Sequence, residues 1–318
     1  MDDTTHHDEQ ERARGLNRRS VLRATSAAAV GAVGLGAATG TATAKEAEEA
    51  FLGNCLADVP EAPADAPIVD LTGEGLETRG AMPSGEDEVL FYIHGWLEDA
   101  SGGGENQGQA LANALEANGY DAPVVTVLWD SNTLDWWAGK DAAEAAGEDF
   151  AGWLDGYMRD NPGTTVRVVG HSLGGRASYA MLDALAGSVA SVSTIGAAND
   201  PDTVCEEGRF GDGIASSADA VYNFHSKSDD IVCTYYKLLE LTEGVGCVGA
   251  ACDGGWFSDG STPDTYTDVE VTDAVLNHCD YFRPDVGCVP QIVDRFGSGS
   301  GQGSDTGGED DDGDDGWW

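Results

Sequence analysis

The sequence predicts an α/β fold, a doubly wound and mostly parallel sheet with helices on both faces. Near-continuous apolar runs of strand length alternate with stretches whose apolar residues recur at helical spacing. Gly, Pro and Asn separate these stretches, as turns between strands and helices require. Apart from its two atypical ends, the chain leaves about 250 residues, enough for one such domain with a substantial core.

After a Pro/Ala/Asp-rich opening, Val89-Leu90-Phe91-Tyr92-Ile93 reads as a strand buried on both faces, ending at His94-Gly95. Residues 106–118 follow with helical spacing at Leu111 and Leu115, and Gly119 suits the end of that helix. Residues 124–129 are the next strand. Residues 142–159 read as a helix with Phe150, Leu154 and Met158 on one face, closed by Asn161-Pro162-Gly163. Residues 166–169 form a strand and 176–185 a helix, with further strands at 189–195 and 220–225. No internal repeat interrupts this alternation.

The two ends read differently. Asn17-Arg18-Arg19-Ser20-Val21-Leu22-Arg23 precedes a weakly apolar Ala/Gly/Val/Thr run and an Ala42-Thr43-Ala44 cleavage-like site. Charge, apolar run and small residues in that order predict a twin-arginine signal over residues 1–44, and hence the export machinery as a partner and an extracytoplasmic destination. The run lacks the Leu, Ile and Phe density of a lasting membrane span. Residues 297–318 are Gly, Ser and Asp until Trp317-Trp318, the composition of a disordered acidic tail. The catalytic domain is expected over residues 45–296.

The formal charge is −41, with 16 Lys+Arg against 57 Asp+Glu. Loss of residues 1–44 removes equal numbers of arginines and acids, so the balance survives processing. Self-repulsion on this scale disfavours a compact state in dilute buffer, and about 1 M salt, with a Debye length of roughly 3 Å, screens most of it. An acidic, lysine-poor surface resembles proteins of extremely halophilic archaea. It also disfavours nucleic acid and anionic membranes as partners.

Seven cysteines in an exported chain predict disulfides. The short spacings suggest Cys247 with Cys252 and Cys279 with Cys288. Cys205 with Cys233 would join two loops after neighbouring strands, leaving Cys55 over. The paired Cys-x-x-Cys spacing of a zinc site is absent.

Gly170-His171-Ser172-Leu173-Gly174 matches G-x-S-x-G between a strand and a helix. The chemistry needs this context: a sharp turn presents the serine hydroxyl, the glycines clear the neighbouring backbone, and the helix N-terminus favours negative charge. At these residues the chain resembles the α/β-hydrolase family, particularly lipases and esterases carrying Gly-His-Ser-Leu-Gly-Gly, over roughly residues 89–282. That resemblance implies the α/β-hydrolase fold, Ser172 as nucleophile, and the chain order Ser, then Asp or Glu, then His.

A hydroxyl attacks at neutral pH only when a base takes its proton. His94 and His171 belong to turns where histidine is structural in the family, and His6 and His7 lie in the leader. Of the two histidines beyond Ser172, His225 is read as packed at its strand end, which leaves His278 as the base. Leu276-Asn277-His278-Cys279-Asp280-Tyr281 is similar to the His-x-x-Tyr endings of lipases. The family pattern of an Asp, one residue and an apolar pair selects Asp229 as the acid, with Asp230 and Asp200 as rivals. The oxyanion hole implied by the resemblance uses the backbone amide of Leu173 and that of Trp96, with Leu97 as alternative to the latter.

The expected activity is hydrolysis of a small-molecule or lipid carboxylic ester through an acyl-enzyme, with no cofactor and no metal. Residues 235–272, between acid and base, are long enough to cover the site. Trp136-Trp137 and Trp256-Phe257 are candidate walls of an acyl pocket. Acyltransferases, thioesterases and peptidases share the same triad, and a catalytically silent binding protein of this fold is the rival from another class.

Overall fold

The computed structural model describes Cys55 and residues 59–73, 75–98, 102–252, 260–284 and 286–298. The expected leader, Trp256-Phe257 and all but the first two residues of the expected tail lie outside these described residues.

The strands are β1 (Ile68–Asp70), β2 (Glu77–Arg79), β3 (Glu88–Ile93), β4 (Val124–Leu128), β5 (Thr165–His171), β6 (Ser191–Ile195), β7 (Val221–His225) and β8 (Tyr266–Glu270). They form one sheet in the order β2-β1-β4-β3-β5-β6-β7-β8, parallel throughout except for the β1–β2 pair. The helices are α1 (Gly103–Ala117), α2 (Trp136–Asp160), α3 (Leu173–Ala184), α4 (Gly211–Ser216), α5 (Tyr236–Glu240), α6 (Val245–Val248) and α7 (Val289–Ser298). A π-helical turn, Ile231–Tyr235, runs directly into α5.

The apolar run of β3 divides by side-chain alternation. Val89, Phe91 and Ile93 enter the core shared with α2 and α3, while Leu90 and Tyr92 enter the core shared with α1 and α7. A strand apolar on both faces therefore carries helices on both faces, an arrangement consistent with the α/β-hydrolase fold. Phe91 is the centre of the first core, its ring within 5.4–5.6 Å of those of Phe150, Trp153 and Tyr157.

From β3 the chain crosses to β4 on one side and then returns to place β5 on the other. The carboxyl ends of β3 and β5 thus flank the point where the strand order reverses, which is where open α/β sheets bind ligands. The His94-Gly95 turn and Ser172 follow these two strand ends.

Several boundaries differ from expectation for local reasons. Helix α2 begins at Trp136 because the Asp135 side chain accepts from the Trp137 and Ala138 amides and caps it. Strands β1, β2 and β8 are three to five residues long and partly polar, too short for a period to show. Residues 235–272 are not simply a cover: toward their end runs edge strand β8, and among the described residues it is their beginning that lines the cleft at Ser172.

The cysteine pairing expected from sequence spacing is overturned. The bonds are Cys55–Cys279, Cys205–Cys252 and Cys233–Cys247, and the free thiol is the buried Cys288, not Cys55. Pairing follows Cα–Cα separation in the folded chain, here 4.7, 5.5 and 5.1 Å, whatever the distance along the sequence. Burial pushes the Cys288 thiol well above its ordinary range, so it stays protonated and inert.

Two outcomes are expected. Phe91→Ala should cost about 3–5 kcal/mol in urea unfolding, since the cavity opens among three rings. Alkylation without reductant should modify Cys288 only after denaturation; rapid labelling of the native protein would contradict its burial.

Candidate active site

Ser172 stands between β5 and α3 with φ 55° and ψ −121°, a backbone conformation that costs of order 1–3 kcal/mol and persists only where its surroundings enforce it. Those surroundings are explicit. The Ser172 amide donates to the Ile195 carbonyl, and the Ser172 carbonyl accepts from the Ala198 and Gly175 amides. A side chain at Gly174 would collide with the carbonyls of Ile93 and His94, so only glycine lets the elbow reach the end of β3.

Asp229, in the loop after β7, is fully buried and receives four donors. Its Oδ1 accepts from the Ile231 and Val232 amides at 3.0 and 3.2 Å. Its Oδ2 accepts from His278 Nδ1 at 2.7 Å and from the Tyr281 hydroxyl at 3.2 Å. Burial first, then the Asp229 charge, pushes the Tyr281 phenol far up, so it remains a donor. Of the rival acids, Asp230 is exposed, and Asp200 instead accepts from Tyr236 Oη at 2.7 Å.

A carboxylate at Nδ1 fixes that nitrogen as N–H, leaving Nε2 of His278 as the acceptor. Nε2 is buried and makes no hydrogen bond with a described residue, Ser172 included. Such bonds are often long before substrate binds and tighten in the reacting complex. The loop that carries His278 is held from several sides. The His278 carbonyl accepts from His171 Nε2 at 2.9 Å, Cys279 is joined to Cys55, and Asp280 Oδ2 accepts from the Leu276 and Asn277 amides. His225 is buried at the end of β7, its Nδ1 3.2 Å from the Cys247 carbonyl.

On the opposite side, Gly95 packs so closely on Ser172 that a Cβ there would lie 2.9 Å from the serine Cβ. The Leu97 amide donates to the Ser131 carbonyl at 3.2 Å. Leu173 opens α3, where first-turn amides have no acceptor within the helix. The Trp96 indole donates to the Thr133 carbonyl at 2.7 Å, and its ring meets Trp136 at 5.3 Å.

A narrow apolar cleft opens at Ser172, walled by Trp96, Trp136, Ala198, Ile231, Val232 and Leu239 among others. Trp136 is thus a wall, whereas Trp137 is exposed. The outer wall is tied to α2 through Glu240, which accepts from Trp136 Nε1 at 2.6 Å and Lys140 Nζ at 2.5 Å.

Glu98 was not singled out by sequence, and it is the unexpected feature of the site. It is fully buried, accepts from the Gly95 amide, and faces His171 Nδ1 at 3.3 Å. Burial opposes its charge, but His171 and the Gly95 amide prevail and hold its carboxyl below the ordinary range. Burial likewise opposes the His171 imidazolium, and Glu98, the His278 carbonyl and Asp229 prevail and raise it. His94 is lowered, chiefly by burial. It is neutral, with Nδ1–H donating to the Gly95 carbonyl and Nε2 accepting from the Trp129 amide.

No known family's sequence profile matches this chain, and no curated protein matches it. Among solved structures it is similar to an HSL homologue from a metagenome library, with 13% identity, 80% of this chain and 94% of that one covered, and a TM-score of 0.45. It is also similar to an α/β serine hydrolase without lid from Xanthomonas campestris, with 17% identity, 73% and 92% covered, and a TM-score of 0.40. A cutinase-like protein from Cryptococcus sp. is 14% identical over 65% and 90% of the two chains, with a TM-score of 0.35. At these values the likeness says nothing about chemistry, which rests on the residues above.

The Glu98–His171 pair has a pH signature. The depressed Glu98 contributes stability that is whole above its unfolded value, ordinarily 4.5, and is lost as pH falls through the folded value. The raised His171 contributes stability that is whole below 6.5 and is lost as pH rises through its folded value. The charged or titratable neighbours are His94, Tyr92, Asp229 and His278. Urea unfolding from pH 3 to 9 should show the greatest stability difference between the parent and a Glu98→Gln/His171→Gln variant between these two values. A difference independent of pH would mean that the pair is not ionised.

Proposed function

We propose that this chain is an exported, salt-adapted serine hydrolase that cleaves carboxylic esters through an acyl-enzyme. One observation carries the reading: a buried carboxylate holds His278 with Nε2 unpaired, and the His278 ring packs on that of His171, the residue before a serine kept in a strained turn at the sheet's switch point.

In this reading Ser172 Oγ attacks the ester carbonyl while His278 Nε2 takes its proton. Asp229 orients the ring and stabilises the imidazolium without itself taking the proton. The tetrahedral oxygen is met by the Trp96 and Leu173 amides, and such preorganised donors are each worth about 100- to 1000-fold in kcat. His278 then protonates the departing alcohol, and water repeats the sequence on the acyl-enzyme. The apolar cleft receives the acyl chain, with Glu240 holding its outer wall. The Arg18-Arg19 pair ahead of an Ala/Gly-rich run and the excess of acidic over basic residues support the reading of export and of function in concentrated salt. No helix among the described residues is long and apolar enough to cross a membrane.

A fluorophosphonate probe should label the parent, folded in molar salt, and spare Ser172→Ala; an unlabelled parent would favour a silent binding protein. Asp229→Asn should lower kcat by about 10⁴-fold, because the histidine tautomer inverts. Glu240→Ala should free the cleft wall and shift the preferred p-nitrophenyl ester to longer acyl chains, whereas an unchanged chain-length profile would remove Glu240 from specificity. The thermal midpoint should rise steadily between 0.1 and 2 M KCl as screening relieves self-repulsion.

A further inference from the structure

Two ionisable side chains beside Ser172 have no part in the triad. We propose that Glu98 and His171 act as one positioning unit that keeps the oxyanion loop and the base loop in register. The inference rests on the ester-hydrolase reading and extends it to residues outside the triad.

The connections run from one loop to the other. Glu98 Oε2 accepts from the Gly95 amide at 2.5 Å, which anchors the peptide immediately before the one that carries the Trp96 N–H. Its oxygens lie 3.2 and 3.3 Å from His171 Nδ1. His171 Nε2 in turn lies 2.9 Å from the His278 carbonyl, and the two imidazole rings are 4.6 Å apart. His171 is also the residue before Ser172. The pair therefore touches the loops that carry the nucleophile, the base and one oxyanion donor.

The protonation state follows from the partners. A carbonyl only accepts, so His171 Nε2 carries a proton. Nδ1 faces a carboxylate whose charge the surroundings maintain, so it carries one as well. His171 is then an imidazolium with both N–H groups committed, unable to serve as a base but well suited to bracing. Neither residue has measurable exposure. Burying a pair of charges is weak ground for stability, since apolar replacements often do as well. Removing one partner, in contrast, leaves the other charge uncompensated, and the loop it braces loses its anchor.

Glutamine at position 98 keeps shape and hydrogen-bonding reach but removes the charge, so Glu98→Gln is the first variant. The parent is first labelled with the fluorophosphonate. Glu98→Gln should stay folded and lose about tenfold or more in kcat, with KM within about twofold, as expected of an interaction realised in the transition state. Its affinity for a trifluoromethyl ketone, which mimics the tetrahedral oxyanion, should weaken by the same factor as kcat/KM. A purely structural role would lower the unfolding midpoint and leave these ratios alone. His171→Gln should behave similarly, and the double variant should be no worse than the worse single one.

If Glu98→Gln does not fold, Glu98→Asp retains the charge but falls one methylene short of Gly95, and the same losses are expected. A folded Glu98 variant with kcat and analogue affinity within about twofold of the parent overturns the inference, as do additive losses in the double variant. An unlabelled parent overturns the hydrolase reading and this inference together; a labelled parent with an unaffected Glu98 variant overturns this inference alone.

Discussion

The contact on which the rest of the site depends is the approach of the α3 N-terminus to the end of β3, where Gly174 lies against the Ile93 and His94 carbonyls. Backbone meets backbone there with no room for a Cβ. The approach holds Ser172 in its unfavourable turn and brings Gly95 against the serine side chain. Strand order makes this contact available: β5 pairs with β3 after the chain has gone out to β4 and returned. The strain at Ser172 is therefore borne by a close-packed parallel sheet buried on both faces.

Around that fixed point, Asp229 and His278 sit on loops, and each loop is fastened by covalent and polar means. The turn after Asp229 carries Cys233, bonded to Cys247; His278 precedes Cys279, bonded to Cys55. Asp229 uses both carboxylate oxygens, one for the backbone of its own loop and one for His278 and Tyr281. A carboxylate saturated in this way cannot turn without losing several charge-assisted bonds at once.

The surface and the cleft follow different rules. A charge of −41 spread over the chain keeps carboxylates in water, while the walls at Ser172 are aromatic and aliphatic. Near the serine, buried charges include two matched pairs, Glu98 with His171 and Glu240 with Lys140. Unmatched burial would be far more costly than either arrangement.

How much was legible in sequence depended on whether the signal was local. The run 89–93, the helical spacing of Phe150 and Leu154, and the elbow at Ser172 carry their information within a few residues, because alternation, periodicity and turn sterics act over that range. From them followed the fold class, the elbow and a short list of partners. Strands β1, β2 and β8 were too short and polar to announce themselves, and they exist because a neighbour offers unpaired backbone groups. All three disulfides defied sequence spacing; Cys55 and Cys279 are 224 residues apart and meet only once the sheet has formed. Glu98 resembled any other acid in an acidic chain, and only its burial against Gly95 and His171 distinguishes it. The sequence by itself determined which elements form and where a serine could be exposed. Tertiary structure alone decided which of many aspartates faces His278, which cysteines join and which charges are buried, because those outcomes depend on distances between residues remote along the chain.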